Sequence, residues 1–289
     1  MYRILTVIFV LLFSGVSAAA ELRIGLIPEQ NVFKQSERYK PIGDYIEKKT
    51  GIKVQFTIIS RYGNIIDRFK SEKMDGVFFG SFTGAMAISM LGVEPLARPV
   101  NLDGTSTYRG YIIVRKDSGI KSAPDMKGKR LAFVEKATTA GYVFPMAYFK
   151  EHGINNIGTY FKEYYFAGSH DAAIDAVLDG KADIGCVKHS MFDRVSRANP
   201  RVATELTIIA ESPDVPSNGL CVRGGLDENI KKKLHDTLIG MDNDPEGKNV
   251  LGKFEAIKFI STTKDDYTPV FDIARKAGID IKNYNYNNE

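Results

Sequence analysis

Residues 138–141 combine hydroxyl side chains, small residues and a glycine at a point where a strand gives way to a helix. The apolar run at residues 130–134 predicts a strand, and residues 141–152 predict an amphipathic helix. Thr138 and Thr139 offer two hydroxyl donors, while a helix start offers free N–H groups and the positive end of a dipole. This combination can bind a small oxyanion without a charged side chain. It can also be an ordinary helix N-cap, because threonine is a good cap residue.

Predicted strands and helices alternate along the whole chain around this segment. Repeated βα units favour a mainly parallel sheet with helices on both faces. In open α/β sheets, ligands bind near the carboxyl ends of the strands. Strands are predicted at residues 22–27, 54–59, 75–79, 95–100, 108–115, 130–134, 160–166, 182–187, 207–211 and 220–223, and helices at residues 39–50, 64–72, 83–91, 141–152, 170–179, 190–198 and 228–241.

The length of the chain favours two lobes. Its 289 residues exceed a typical domain of roughly 100–150 residues. We predict a first lobe from residues 21–116, a second lobe from residues 117–212, and a return to the first lobe with C-terminal helices from residues 213–289. The two crossings, at residues 116–119 and 212–216, would form a two-strand hinge.

Residues 1–20 have the pattern of a signal peptide. One arginine precedes an apolar run at residues 4–13, and small residues follow as far as Ala20. The apolar run is shorter than the roughly 20 residues that cross a bilayer comfortably. We therefore predict cleavage after Ala20 and export to the periplasm.

The composition argues against several classes of protein. The net charge is only +4, and no basic stripe with interleaved aromatic residues indicates a nucleic-acid interface. The chain has no Gly-x-Ser-x-Gly, His-Glu-x-x-His or Cys-x-x-Cys motif, so we predict no enzymatic activity, no metal and no cofactor. Cys186 and Cys221 sit in apolar strand-like runs of different predicted lobes, which favours buried free thiols over a disulfide.

Several motifs, in their order and spacing, carry a resemblance to a known family. They are Ile-Gly-Leu-Ile-Pro at 24–28, Ile-Ser-Arg-Tyr-Gly-Asn at 59–64, Asp-Gly-Val-Phe-Phe-Gly-Ser-Phe at 75–82, Tyr-Ile-Ile-Val-Arg-Lys-Asp-Ser at 111–118, Thr-Thr-Ala-Gly-Tyr-Val-Phe-Pro at 138–145 and Ala-Gly-Ser-His-Asp at 167–171. They resemble the phosphate/phosphite/phosphonate-binding receptors of ABC transporters, the PhnD-like periplasmic binding proteins. The resemblance implies a type II periplasmic binding protein of two α/β lobes joined by a two-strand hinge. It also implies a small oxyanion ligand and, as partners, an inner-membrane ABC permease and its cytoplasmic ATPase.

The resemblance further implies a set of ligand-binding residues. The phosphonate-binding turn of the family matches residues 138–141, and two of its ligand-facing aromatic residues match Tyr62 and Phe79. His170 matches a histidine that reaches toward the anion. The predicted set is Thr138, Thr139, Ala140, Gly141 and His170 in the second lobe, Tyr62, Phe79, Gly80 and Ser81 in the first lobe, and His189, Ser190 and Asn218 opposite the anion.

The residues opposite the anion indicate the class of ligand. Family members that take aminoalkyl phosphonates place carboxylates there, whereas this chain has His189, Ser190 and Asn218. We therefore predict a compact oxyanion such as phosphate, phosphite or a small alkyl phosphonate. A sulfonate or a cofactor precursor is the alternative ligand. The alternative role is a stand-alone sensor that docks on a membrane signalling protein, and we expect the transport receptor to be a monomer.

Overall fold

The computed structural model describes residues 20–29, 31–59 and 64–287. Nearly all of the predicted signal peptide and Tyr62 therefore lie outside the described residues. In the part of the chain that is described, no helix combines the length and the apolar character needed to cross a membrane.

Strands and helices alternate as predicted. The strands are β1 (Glu21–Leu26), β2 (Lys53–Ile58), β3 (Gly76–Phe79), β4 (Glu94–Asn101), β5 (Thr107–Tyr108), β6 (Gly110–Arg115), β7 (Arg130–Phe133), β8 (Glu163–Phe166), β9 (Ile184–Lys188), β10 (Leu206–Glu211), β11 (Val215–Pro216), β12 (Gly219–Val222) and β13 (Ala256–Ser261). The α-helices are α1 (Val32–Thr50), α2 (Ile65–Ser71), α3 (Ser81–Leu91), α4 (Phe144–Glu151), α5 (Ile157–Tyr160), α6 (His170–Leu178), α7 (His189–Ala198), α8 (Pro200–Glu205), α9 (Glu228–Ile239), α10 (Pro245–Phe254) and α11 (Thr268–Ala277). Short 3₁₀ turns cover Ala123–Met126, Met241–Asn243 and Lys264–Tyr267, and a π-helical turn covers Thr139–Val143.

The strands form two large sheets, one for each lobe. The first sheet has the order β13-β4-β12-β3-β1-β2, and the second has the order β10-β6-β9-β7-β8. In the first sheet β1 to β4 run in one direction, and β12 and β13 from the returning chain run against them. In the second sheet only β6 runs against its neighbours. The predicted two-lobe α/β architecture is confirmed, and the sheets are mixed, because β6, β12 and β13 run against their neighbours.

The lobes are joined where β5 pairs antiparallel with β11. The chain enters the second sheet at Gly110, because β6 already pairs with β9 and β10. This is earlier than the predicted crossing at residues 116–119. The sequence at residues 108–115 reads as one strand, but the chain interrupts it at Arg109 and uses the two parts in different sheets. The domain boundaries at residues 116 and 212 stay a prediction.

Helix α1 shows how local sequence sets an element. It begins at Val32, earlier than the predicted residue 39, because the Asn31 side chain caps it by accepting a hydrogen bond from the N–H of Phe33 at 3.0 Å. It ends at the predicted Gly51, whose φ of 72° lies in the left-handed region that favours glycine. The helix thus leads directly out of the loop that follows β1.

The two cysteines are buried free thiols in different sheets. Cys186 lies in β9, and Cys221 lies in β12. Burial raises the pKa of the Cys221 thiol to about 12, so this side chain stays protonated and packs as an apolar group.

Candidate functional site

Two helix starts from the two lobes face each other. Helix α3 begins at Ser81 directly after β3, and the π-helical turn begins at Thr139 after β7. The Oγ of Ser81 lies 2.6 Å from Oγ1 of Thr139 and 2.5 Å from the hydroxyl oxygen of Tyr108. Since Tyr108 belongs to the crossing strand β5, these three hydroxyl groups join both lobes and the hinge.

The Thr139 turn presents backbone N–H groups that the helix does not use. Its first bond runs from the N–H of Val143 to the carbonyl of Thr138 at 3.0 Å, so the N–H groups of residues 139–141 have no partner inside the helix. The Thr138 hydroxyl donates instead to the carbonyl of Glu135 at 2.6 Å. The Thr138 hydroxyl, which was expected to donate to the anion, therefore stabilises the turn instead. Thr139 remains as the hydroxyl donor of this turn.

Glycine is required at position 141 by close packing. A Cβ there would lie 2.5 Å from Cβ of Val134 and 2.6 Å from Oγ1 of Thr138. A side chain would push the turn away from the strand end that supports it. Gly141 thus sets the position of the N–H groups, although it is not among the residues that line the cavity described next.

A small polar cavity lies between the helix starts. Its volume is about 10 Å³, which is about what a single water molecule needs. It is lined by Ile27, Glu29, Gly80, Ser81, Phe82, Tyr108, Ala137, Thr138, Thr139, Ala140, His170, Lys188 and Asn218. The lining comes from both lobes and from the hinge, so the cavity is closed only while the lobes are together.

His170 enters the cavity as a neutral donor. Its Nδ1 accepts a hydrogen bond from the N–H of Lys188 at 3.1 Å, which leaves the proton of the neutral ring on Nε2. Burial, assisted by the charge of Lys188, lowers the pKa of His170 to about 4. The ring is therefore uncharged at neutral pH and can donate from Nε2.

We expect the stability of the protein to fall as the pH falls from 7 to 5. An unfolded histidine has a pKa of about 6.5, so in this range the unfolded state binds a proton that folded His170 does not. The free energy of unfolding should decrease by roughly 2 kcal/mol. His170→Asn should remove most of this dependence in urea titrations, whereas His152→Asn at an exposed site should keep it. An unchanged pH dependence in His170→Asn would contradict the buried neutral ring.

A buried ion pair crosses the cleft beside His170. Lys188 is the last residue of β9, and its Nζ donates to Oε1 of Glu29 at 2.8 Å and to Oδ1 of Asn218 at 3.0 Å. Burial by itself would raise the pKa of Glu29, but the charges of Lys188 and Arg38 outweigh it and lower the pKa to about 2. Glu29 is therefore ionised, and its carboxylate is already paired within the protein.

The structure brings seven of the predicted residues together around the cavity. They are Thr138, Thr139, Ala140, His170, Gly80, Ser81 and Asn218. Phe79, Gly141, His189 and Ser190 are not part of the lining. Tyr62 lies outside the described residues.

Phe79 was expected to face the ligand but lies in the hydrophobic core. Its side chain is 0% exposed, and its ring centre lies 6.2 Å from that of Phe69. The reason is that β3 is buried along its whole length, so the chain turns toward the cavity only at Gly80.

His189 and Ser190 begin α7 and line a neighbouring surface pocket with Asn101 and Asp103, and Ser190 also lines a second polar cavity beside Lys188. The Nδ1 of His189 accepts a hydrogen bond from the N–H of Arg109 at 3.0 Å. Lys188, one position earlier, takes the place expected for them. A shift of one residue at a strand end moves a side chain to the other face, which explains why Lys188 rather than His189 faces the cavity.

Sequence reasoning missed Glu29, Tyr108 and Lys188. Glu29 follows β1 closely, and Lys188 is the last residue of β9. Both therefore lie at the carboxyl ends of strands, which is the signal that could have found them. Among the described residues, no group of three His, Cys, Asp or Glu side chains is placed to hold a metal ion.

Comparisons with known proteins identify the family and the fold. A profile of the family described as "ABC transporter, phosphonate, periplasmic substrate-binding protein" matches residues 24–267. The phosphonates-binding periplasmic protein of Escherichia coli K12 is 27% identical over 258 residues, which cover 88% of this chain and 75% of that protein. The probable ABC transporter phosphite binding protein PhnD1 of Prochlorococcus marinus MIT 9301 is 23% identical over 266 residues, which cover 88% of this chain and 89% of that protein. The structure of PhnD1 from Prochlorococcus marinus in complex with methylphosphonate has a TM-score of 0.80 at 22% identity, covering 90% of this chain and 99% of that one.

The family match spans most of the chain, and the structural likeness shows the two-lobe type II fold. The family and fold class expected from the sequence are confirmed. Proteins of this family are periplasmic and bind substrates for ABC transporters; they are not enzymes. This chain belongs to the family of periplasmic substrate-binding proteins of phosphonate ABC transporters.

Proposed function

We propose that this protein captures a compact tetrahedral oxyanion (a small phosphonate, phosphite or phosphate) between its lobes and delivers it to an inner-membrane ABC permease. The observation that carries the proposal is the meeting of two helix starts, where Oγ of Ser81 and Oγ1 of Thr139 lie 2.6 Å apart across the cleft. Helix N-termini favour negative charge through their free N–H groups and their dipoles. Two of them from opposite lobes form an anion site only when the lobes close.

The anion would take the place of contacts that the hydroxyl groups now make with one another. A cavity of about 10 Å³ is too small for a tetrahedral oxyanion, so the lobes must first separate at the β5–β11 ribbon. When the lobes close, the oxygens of the anion would accept hydrogen bonds from the hydroxyl of Thr139, the N–H groups of residues 139–141 and Nε2 of His170. Because these contacts come together only in the closed form, the ligand would stabilise that form, which would then dock on the permease as a monomer. Export through residues 1–20 would place the protein in the periplasm.

The ligands for which relatives are named support the phosphorus class of ligand. One relative is named for phosphonates, and another is named for phosphite and has been seen with methylphosphonate. All of these are tetrahedral at phosphorus and carry oxygens that can accept hydrogen bonds from N–H and O–H donors.

A thermal-shift screen tests the proposal. The protein is unfolded, dialysed, refolded and heated with phosphate, phosphite, methylphosphonate, sulfate or taurine. A ligand at 100 times its Kd stabilises a protein by about 2.7 kcal/mol, which corresponds to a rise in Tm of roughly 5 °C or more. We expect such a rise with at least one phosphorus oxyanion and little with taurine. A rise with sulfate or taurine alone, or with none of the five, would contradict the proposal.

A further inference from the structure

The ammonium group of Lys188 sits in a place built for a cation. Its Nζ lies 2.8 Å from Oε1 of Glu29, 3.0 Å from Oδ1 of Asn218 and 4.5 Å from the centre of the Tyr108 ring. A carboxylate, an amide oxygen and an aromatic face are the partners that an amine of a ligand would seek. Lys188 and its three partners all line the cavity between the helix starts, so the position of the ammonium adjoins the proposed anion site.

Lys188 also forms part of the wall between two cavities. Lys188, Glu29 and Asn218 line both the cavity between the helix starts and a second, polar cavity behind it. The second cavity is lined in addition by Arg38 and Arg194. The lysine side chain therefore fills the space that a ligand longer than a compact oxyanion would need.

Asn218 supplies an independent sign of an anion on the near side of this wall. Its Oδ1 is used by Lys188, which fixes the orientation of the amide. Its Nδ2 is buried and has no hydrogen-bond partner among the described residues. A buried donor without a partner is unfavourable, and an oxygen of a bound anion would satisfy it.

We propose that Lys188 is a built-in counter-cation that determines specificity: it takes the place of a ligand amine, so the site accepts tetrahedral oxyanions with a short neutral substituent and rejects aminoalkyl phosphonates. This inference rests on the proposed function. The ammonium of an aminoalkyl tail would meet the Lys188 ammonium instead of a free carboxylate, because Glu29 is already paired. Like charges brought together in a binding site lower affinity by several powers of ten unless one of them moves away.

Titration calorimetry with methylphosphonate and 2-aminoethylphosphonate tests this role. For the unmodified protein we expect methylphosphonate to bind at least about 100-fold more tightly. Lys188→Ala removes the ammonium, joins the two cavities and leaves the Glu29 carboxylate with Arg38, 3.6 Å away, as its remaining ion-pair partner. In this variant the affinity for 2-aminoethylphosphonate should rise and the ratio of the two affinities should fall at least about tenfold.

Two further variants serve as controls. Lys231→Ala removes another buried lysine, which pairs with Glu94 and Glu228 in the first lobe away from the cavity, and should leave the ratio unchanged. Glu29→Gln/Lys188→Ala removes both charges and should not gain affinity for 2-aminoethylphosphonate, because the carboxylate that would receive the amine is gone.

The outcomes separate this inference from the proposed function. If the unmodified protein binds neither phosphonate nor any other phosphorus oxyanion, the proposed function itself fails. If methylphosphonate binds but 2-aminoethylphosphonate binds equally well, only the role of Lys188 is overturned. An affinity ratio in Lys188→Ala equal to that in Lys231→Ala would also overturn it. The ratio of the affinities of the unmodified protein for methylphosphonate and 2-aminoethylphosphonate tests the inference even if a variant does not fold.

Discussion

Phe79→Ala should lower the free energy of unfolding by about 3–5 kcal/mol, the range typical for removing a buried phenylalanine side chain from a core. The Phe79 side chain is 0% exposed and packs against Phe69 beneath the cavity. The loss should appear in urea unfolding curves of the ligand-free protein. This effect would identify Phe79 as a core residue that supports the start of α3.

Two variants separate packing from ligand contact. Phe79→Leu keeps most of the volume and should destabilise the protein by less than about 2 kcal/mol, with oxyanion affinity nearly unchanged. Phe33→Ala removes a ring that is 79% exposed and should change stability by less than about 0.5 kcal/mol. Near-normal stability in Phe79→Ala together with a large loss of affinity would restore the original expectation of a ligand contact.

Thr139→Val should weaken oxyanion binding by about 10- to 100-fold while leaving the fold intact. The substitution removes the hydroxyl that meets Ser81 across the cleft and keeps the shape and the N–H groups of the turn. A hydrogen bond to a charged group contributes about 1.5–3 kcal/mol, which sets this range. Titration calorimetry with the best oxyanion of the thermal screen measures the loss directly.

Thr204→Val is the matched control for Thr139. The Thr204 hydroxyl is exposed and donates to carbonyls of its own helix α8. Its loss should leave oxyanion affinity within about twofold. Equal affinities in Thr139→Val and Thr204→Val would move the binding site away from the Thr139 turn.

The order of the elements could be predicted from the sequence because hydrophobic periodicity and helix stop signals are local. Gly51 ended its helix where expected, and strands and helices followed in the predicted order. The change of sheets before Gly110 could not be seen, because an apolar run does not show which neighbours its two halves will pair with. Strand pairing is a property of the folded chain.

Only part of the candidate site could be predicted, because some of its residues are brought together by the fold and not by local sequence. The turn at Thr139 could be recognised from its own residue types, because small and hydroxylated residues after a strand indicate an anion site. The pairing of Glu29 with Lys188 joins residues that are far apart in the chain and in different lobes. The strand ends could draw attention to both residues, but the sequence does not show that the two pair. Whether Lys188 or His189 faces the cavity depends on where β9 ends.

A crystal structure of the protein with the oxyanion that gives the largest thermal shift tests the proposed site most directly. We expect the anion between Ser81 and Thr139, with its oxygens within hydrogen-bond distance of the N–H groups of residues 139–141, Nε2 of His170 and Nδ2 of Asn218. We also expect Lys188 to remain paired with Glu29. An anion bound elsewhere, for example in the groove between α4 and α11 lined by Tyr148 and Lys276, would contradict the proposed site.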